Sequence, residues 1–283
     1  MKSFARLICL LAALLLAVPA LARAEDEEIY FSDMLGVNIV TYDNVPWDFP
    51  VDIMDMDPAL IRLANKQTLL PKDFVPENLV DVPKLRLNDA GENTSGGVRY
   101  VDGPWQLSRE CLEALVALCD AARAEGHELY LKSGYRSYRT QSYMYENRLK
   151  KYGYDDGWVA RPGSSDHQTG LGCDVVPKKW TDRGMNEDMA KEPETQWMAE
   201  NCARFGFILR YPADKEDVTE INYEPWHLRY VGVPVATYIM ENGLTLEEFH
   251  VELAEAIETF VAAGGPVWLV DDFAQVSAED KYD

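Results

Sequence analysis

Four side chains in two short stretches of this sequence have the types and spacing for metal-assisted hydrolysis. In Ser165-Asp166-His167-Gln168-Thr169-Gly170-Leu171-Gly172-Cys173-Asp174 an imidazole and a carboxylate stand seven residues apart, on either side of a glycine turn. About fifty residues later, Glu224-Pro225-Trp226-His227 adds a second imidazole and a second carboxylate. His167, Asp174 and His227 are the ligand set of a catalytic zinc, three protein groups and an open fourth position; Glu224 is left to take a proton from water. A His seven residues before an Asp is by itself a weak signal. Gly170 and Gly172 strengthen it, since glycine allows a reversal tight enough to bring both side chains to one side.

Glu224 and His227 lie three apart beside Pro225 on a strand or irregular segment, where such positions do not point the same way. That suits a division of labour, His227 on the metal and Glu224 reaching the water from the side. The plain alternative is an ion pair at a strand edge with Arg229. Arg136, in Ser133-Gly134-Tyr135-Arg136-Ser137, is the natural partner for a substrate carboxylate or a developing oxyanion, because guanidinium is planar, always charged and a bidentate donor. His127 and His250 read as structural or solvated side chains.

The elements that must position these groups are legible from the pattern. Ser108 is expected to cap a helix in which Leu112, Leu115, Val116 and Cys119 recur at helical spacing until Gly126 stops it. Residues 127–132 alternate as a strand and deliver the Arg136 turn. Thr140 is expected to cap a second helix running to about Tyr152. Residues 171–176, 207–211, 218–223 and 226–231 read as strands, residues 194–205 as a helix, and residues 234–242 and 245–263 as closing helices. With no internal repeat, the expectation is one α+β domain: a small, mainly antiparallel sheet flanked by helices, with the zinc site at the sheet. It spans residues 60–249, between an acidic arm (25–59) that wraps the domain and an acidic helix and tail (250–283).

The first 24 residues read differently. Lys2 and Arg6 precede an apolar run over residues 7–18, and Ala22-Arg23-Ala24 is a signal-peptidase pattern, so cleavage after Ala24 and export are expected. An uncleaved anchor is the alternative, although the run is short for a membrane span. The exported chain keeps 24 of the 27 basic residues and all 48 acidic ones, a net charge of −24. Such a surface argues against nucleic acid and anionic lipid as partners, and no integral membrane domain is read beyond the signal. Four cysteines remain, Cys111, Cys119, Cys173 and Cys202. Cys111 and Cys119 are about 12 Å apart along one helix, too far to bond, and free buried thiols are as consistent with the pattern as bridges.

Three ordered motifs together resemble a known family. Ser133-Gly134-Tyr135-Arg136-Ser137 with Gln141, then Ser165-x-His167-x-x-Gly170-x-x-x-Asp174, then Glu224-Pro225-Trp226-His227-Leu228-Arg229-Tyr230 look like the VanY-type D-alanyl-D-alanine carboxypeptidases, of the Hedgehog/DD-peptidase-like fold. The wider group of zinc peptidases acting on peptidoglycan stems also includes L,D-carboxypeptidases and D-Ala-D-Ala dipeptidases. The resemblance covers residues 63–249. It implies zinc on His167, Asp174 and His227, Glu224 as general base, Arg136 polarising the scissile carbonyl or holding substrate, and Gln141 and Ser165 touching the peptide end. The implied partner is a peptidoglycan stem peptide or its precursor. Two positions depart from the family pattern: Gly172 stands where Ala is frequent, and Cys173 replaces an aliphatic residue. A non-catalytic wall-peptide-binding module is the rival from another class, but such a protein is expected to have lost a ligand or the base, and all four are present. A hydrolase using Cys173 or Ser165 as nucleophile would need His167 as its base, and the metal claims that imidazole.

Overall fold

A computed structural model describes residues 40–273. The signal segment, the first part of the acidic arm and the last ten residues of the tail lie outside the described residues. In chain order the strands and helices are β1 (Thr41–Tyr42), β2 (Val45–Pro46), β3 (Leu79–Asp81), β4 (Gln106–Ser108), α1 (Arg109–Ala124), β5 (Leu129–Ser133), α2 (Tyr138–Tyr152), β6 (Gly172–Pro177), α3 (Pro193–Asn201), β7 (Phe207–Leu209), α4 (Glu216–Thr219), β8 (His227–Tyr230), α5 (Val233–Asn242) and α6 (Leu246–Ala262). The central sheet has the order β5-β6-β8-β7 and every pairing in it is antiparallel. Among the described residues no helix is long and apolar enough to cross a membrane.

One face of that sheet is the apolar core. Cys111, Leu115, Leu118 and Ala122 recur on one side of α1 and pack with Cys173, Val175, Phe207 and Leu228 from the strands. Successive side chains of a strand point to opposite faces, so burying Cys173 and Val175 turns Asp174 to the other side. Cys173 thus has the packing role its alternation implies, and all four described cysteines are free thiols. A second core joins the arm to the closing helices. Trp47, Val51, Ile53 and Met56 are buried with Ile239, Phe249 and Phe260, and the Trp47 ring meets Phe260 edge-on at 5.4 Å. The boundary expected at residue 249 falls inside α6, which runs unbroken through it behind a capping box made by Thr245 and Glu248. The arm from residue 47 and the closing helices therefore belong to the domain core.

Local chemistry moves several boundaries. Ser108 does precede α1, but its hydroxyl is buried and makes no cap hydrogen bond. The second helix begins two residues before Thr140, because Ser137 Oγ accepts the Thr140 N–H. Residues 218–223 are not a strand: Glu216–Thr219 is a single helical turn ended by Glu220 in the left-handed conformation (φ 55°), so the chain reverses there. The helix after Glu192 tightens into a 3-10 turn over Cys202–Phe205 before Gly206 stops it.

A chain of buried charges ties these layers together. Asp166, Arg210 and Arg229 are fully buried. Asp166 meets Arg229 Nη1 at 2.5 Å and Arg210 Nε at 2.6 Å. Arg210 in turn holds Glu247 on α6 through both terminal nitrogens, at 2.7 and 2.6 Å. Arg229 Nη2 also donates to the carbonyls of Leu60 and Arg62. Arg229 is therefore the partner of Asp166, and the alternative pairing with Glu224 is not formed. Burial alone would raise the Glu247 carboxyl, yet Arg210 holds it below its ordinary value. Asp166 is likewise held low by Arg229 and Arg210 against its burial. The unfolded chain then takes up protons before the folded one, so the stability from these carboxylates is complete above about pH 5 and is lost as pH falls through the folded values. The denaturation midpoint is expected to drop between about pH 5 and pH 3, and Glu247→Gln should flatten that slope; urea titrations at stepped pH measure both.

Candidate metal centre

The register of the sheet brings the ligands together. Asp174 on β6 lies directly opposite His227 on β8, and Ser133 at the end of β5 lies opposite Asp174 on the other side. His167 comes from a 3-10 turn, Asp166–Thr169, closed by Gly170 at φ 72°. A side chain at that φ is strained, and a Cβ there would also stand 3.0 Å from Leu79. Gly172 serves a second purpose. A Cβ on it would stand 2.9 Å from the Asp166 Cβ and carbonyl carbon, so its bareness lets the turn lie flat on the sheet. That is the physical counterpart of the departure from Ala at this position. The Arg136 turn is stitched to the same place: Arg136 N–H donates to the His167 carbonyl at 3.1 Å, and His167 Nδ1 lies 2.7 Å from the Gly134 carbonyl.

That last bond fixes the tautomer. With Nδ1–H given to Gly134, the lone pair of His167 is on Nε2, which sits 3.4 Å from Asp174 Oδ1. His227 Nδ1 is 3.2 Å from the same oxygen and 3.4 Å from Glu224 Oε2. Ligand atoms of His167, Asp174 and His227 all lie within 4.8 Å of one another, and all three residues are buried. His167 Nε2 and Asp174 Oδ1 have no hydrogen-bond partner. Buried polar atoms are rarely left so, and ligands about 2.0–2.1 Å from a tetrahedral ion stand roughly 3.3 Å apart. Donor set, spacing and orphaned atoms all fit zinc.

The electrostatics agree. Burial and Arg136 push His167 down to about 4, leaving its ring neutral as a ligand must be. Burial would lower His227 as well, but the Asp174 and Glu224 carboxylates override it and push the metal-free imidazole up to about 10. Against its burial, Asp174 is held well below the usual carboxylate range by both histidines. Glu224 goes the other way, raised by burial and by Asp174 although His227 and Arg136 oppose this. The chain is expected to bind one zinc, which raises its melting temperature, and His167→Ala should abolish that shift; metal analysis and thermal denaturation of the two proteins measure it.

The cluster forms the floor of a cavity of about 380 Å³ that Arg136, Ser165, Glu224, Trp158 and Tyr211 also line. Arg136 is half-buried, with its Nε shielded from solvent and unpartnered and its Nη1 3.3 Å from Met144 Sδ. Ser165 is buried at the wall as well. Gln141 is placed differently: it is buried on α2 and donates to the Ala160 carbonyl at 2.6 Å, supporting the segment that carries Trp158 rather than lining the cavity. His250 is half-buried, its Nε2 2.6 Å from the Ile61 carbonyl, and His127 packs beside Trp197. Sequence reasoning missed Tyr211, whose ring lies 4.9 Å from that of His227, and missed Asp166. Tyr211 had no signal. Asp166 had one: Arg229 shares a strand face with His227, so a buried guanidinium beside a ligand needed a nearby anion.

Comparisons with known proteins place this geometry. A family profile described as VanY, D-alanyl-D-alanine carboxypeptidase, matches residues 104–233. The bifunctional D-Ala-D-Ala dipeptidase and D-Ala-D-Ala carboxypeptidase VanXYC of Enterococcus gallinarum is 41% identical over 203 residues, which is 71% of this chain and 98% of that protein. The LdcB LD-carboxypeptidase structure is similar at a TM-score of 0.58 and 35% identity, over 75% of this chain and 92% of that one. A variant of the vancomycin-resistance D,D-pentapeptidase VanY from a VanB-type cassette, solved with Zn(II), is similar at a TM-score of 0.51 and 32% identity, over 68% and 98% of the two chains. Among curated relatives the share of their length that is matched runs from 51% to 98%.

Proposed function

The chain belongs to the VanY family of D-alanyl-D-alanine carboxypeptidases, and from that premise we propose that it removes the C-terminal D-alanine of peptidoglycan stem peptides as an exported zinc carboxypeptidase. The observation that carries this reading is the His167–Asp174–His227 cluster with Glu224 beside it, on the floor of a cavity that also holds Arg136. When bound there, zinc supplies a Lewis acid that polarises a carbonyl and makes water a nucleophile near neutral pH. The rest falls to the chain's own groups. Glu224 takes one proton from the attacking water as its oxygen bonds to the last peptide carbonyl carbon. It returns that proton to the departing nitrogen as the C–N bond breaks, so acid and base are one residue used twice. Arg136, half-buried and unpaired at Nε, faces the negative charge that develops on the carbonyl oxygen or the one already on the peptide terminus. Trp158, Trp226 and Ile221 exclude water from the remaining wall.

A sibling specificity is the second reading. The similarity to the LD-carboxypeptidase, at a TM-score of 0.58, exceeds that to the D,D-pentapeptidase at 0.51. Purified zinc-loaded protein offered a pentapeptide stem, a tetrapeptide stem and free D-Ala-D-Ala, with products read by mass spectrometry, separates the specificities. Release of one alanine from the pentapeptide, blocked by a chelator and restored by zinc, is the expected result. Release only from the tetrapeptide moves the assignment to the L,D reaction, hydrolysis of free D-Ala-D-Ala alone moves it to the dipeptidase, and hydrolysis of none of the three refutes the peptidase. Export is tested separately by sequencing the N-terminus of protein recovered outside the cytoplasm: Glu25 is expected first.

A further inference from the structure

A second guanidinium opens on the same cavity, and nothing in the reaction above uses it. Arg148 is on α2, and Met144 and Arg148 of that helix both line the cavity. Met144 touches Arg136 through its sulfur, and Arg148 follows one turn later, about 6 Å further along the helix axis. Arg148 is fixed on two sides. Its Nε and Nη2 grip Asp156 at 3.0 and 2.6 Å, and its guanidinium stacks on Tyr152 at 4.3 Å. Asp156 is itself anchored, since its carbonyl accepts from Asn222 at 2.8 Å and its carboxylate from the Trp158 N–H. Nη1 makes no hydrogen bond among the described residues, and the side chain is 29% exposed.

An exposed ion pair between a helix and a loop is ordinarily worth little, and its purpose need be no more than holding the loop. Two features go beyond that. Asp156 occupies only the Nε–Nη2 edge, so the remaining N–H groups stay available to a ligand in a fixed plane. The surroundings are also the exception in a strongly acidic protein: Tyr138–Tyr152 carries Arg139, Arg148, Lys150 and Lys151 against Glu146 alone. A preorganised cation on the wall of the cavity, one turn from the methionine that touches Arg136, fits a substrate with two negative groups.

We propose that Arg148 reads a second carboxylate on the substrate, carried by the side chain of a residue on the amino side of the scissile bond, and so selects stems with a diamino-dicarboxylic residue over stems with a monocarboxylic one. This rests on the cavity being the peptide site. An extended peptide advances about 3.3 Å per residue, so the helical step of about 6 Å from Met144, which touches Arg136, to Arg148 matches about two residues of peptide.

The test uses matched synthetic stems whose diaminopimelate residue has its side-chain carboxylate either free or amidated. Zinc-loaded wild-type protein is expected to show a kcat/KM about tenfold higher on the free acid, expressed mainly in KM. In Arg148→Ala, or in Arg148→Gln if the alanine variant does not fold, that ratio should collapse to about one. Equal rates on the two stems by wild-type protein overturn the proposal, and so does a tenfold ratio that survives the substitution. The same pair is titrated by calorimetry into zinc-loaded Glu224→Gln, where the affinity ratio should again be about tenfold. Discrimination in binding with no hydrolysis by the wild-type chain would sink the peptidase reading and leave Arg148 its role. Hydrolysis without discrimination would do the reverse.

Discussion

Glu224→Ala is expected to keep one zinc per chain and lose turnover on a stem peptide by about a thousandfold, within the range general acid–base catalysis contributes. The separation of the two properties follows from the geometry. The ligand atoms of His167, Asp174 and His227 converge without Glu224, whereas Glu224 Oε2 stands 3.4 Å from His227 Nδ1, beside the place where an attacking water must lie. Its backbone is held independently by Tyr211 and His227: its N–H donates to the Tyr211 carbonyl at 3.0 Å, and its carbonyl accepts the His227 N–H at 3.1 Å. Shortening the side chain therefore leaves the loop in place. The carboxylate is also a charge beside a histidine that carries one in the metal-free chain, so its loss changes metal affinity in a direction that turnover alone would hide. Metal content must be measured on the same sample as kcat. Near wild-type release of alanine by a zinc-replete variant would remove Glu224 from the mechanism.

Asp166→Asn should cost about 3–5 kcal/mol of stability, the range for breaking a buried ion pair from one side. Asparagine keeps the shape and loses the charge that two buried guanidinium groups share. Arg210 retains Glu247, but Arg229 is left with backbone carbonyls alone. A useful contrast is Asp188, whose pairing with Lys191 at 2.7 Å is geometrically as good but lies in solvent on both sides. Asp188→Asn is expected to leave the denaturation midpoint unchanged, because water replaces what the partner gave. Urea unfolding of both variants, zinc-free and zinc-loaded, makes the comparison. The loaded form has more at stake, since Asp166 precedes His167 and Arg229 follows His227 by two residues. If Asp166→Asn unfolds at the wild-type midpoint, the buried network is not what holds the turn to the sheet.

What the sequence determined by itself was the chemistry and the coarse architecture. Residue type carries ligand chemistry whatever the fold does, and the three motifs fixed their order along the chain. Hydrophobic spacing exposed the long helices, because a helix that buries one face must repeat its apolar residues every three or four positions. It exposed the closing helix over residues 245–263 for the same reason, while the Thr245–Glu248 capping box is a finding of the structure. Residues 171–176 read as a strand, and neighbours on a strand face opposite ways, which is how Cys173 and Asp174 part company.

Tertiary structure decided the rest, for reasons local sequence does not contain. Residues 218–223 look like a strand because short apolar and β-branched runs carry no period of their own, yet a left-handed Glu220 turns them away from the sheet. Gln141 had the right motif position and a partner, the Ala160 carbonyl, that only the packed loop supplies. The pairing of Asp166 with Arg210 and Arg229 joins residues 44 and 63 positions apart, and the Asp174–His227 register is set by which faces of β6 and β8 are buried together. Long-range charge pairing and strand register are properties of the assembled core. A metal site made from three separate segments exists only after that core has formed, so the sequence named its atoms and the fold supplied the distances between them.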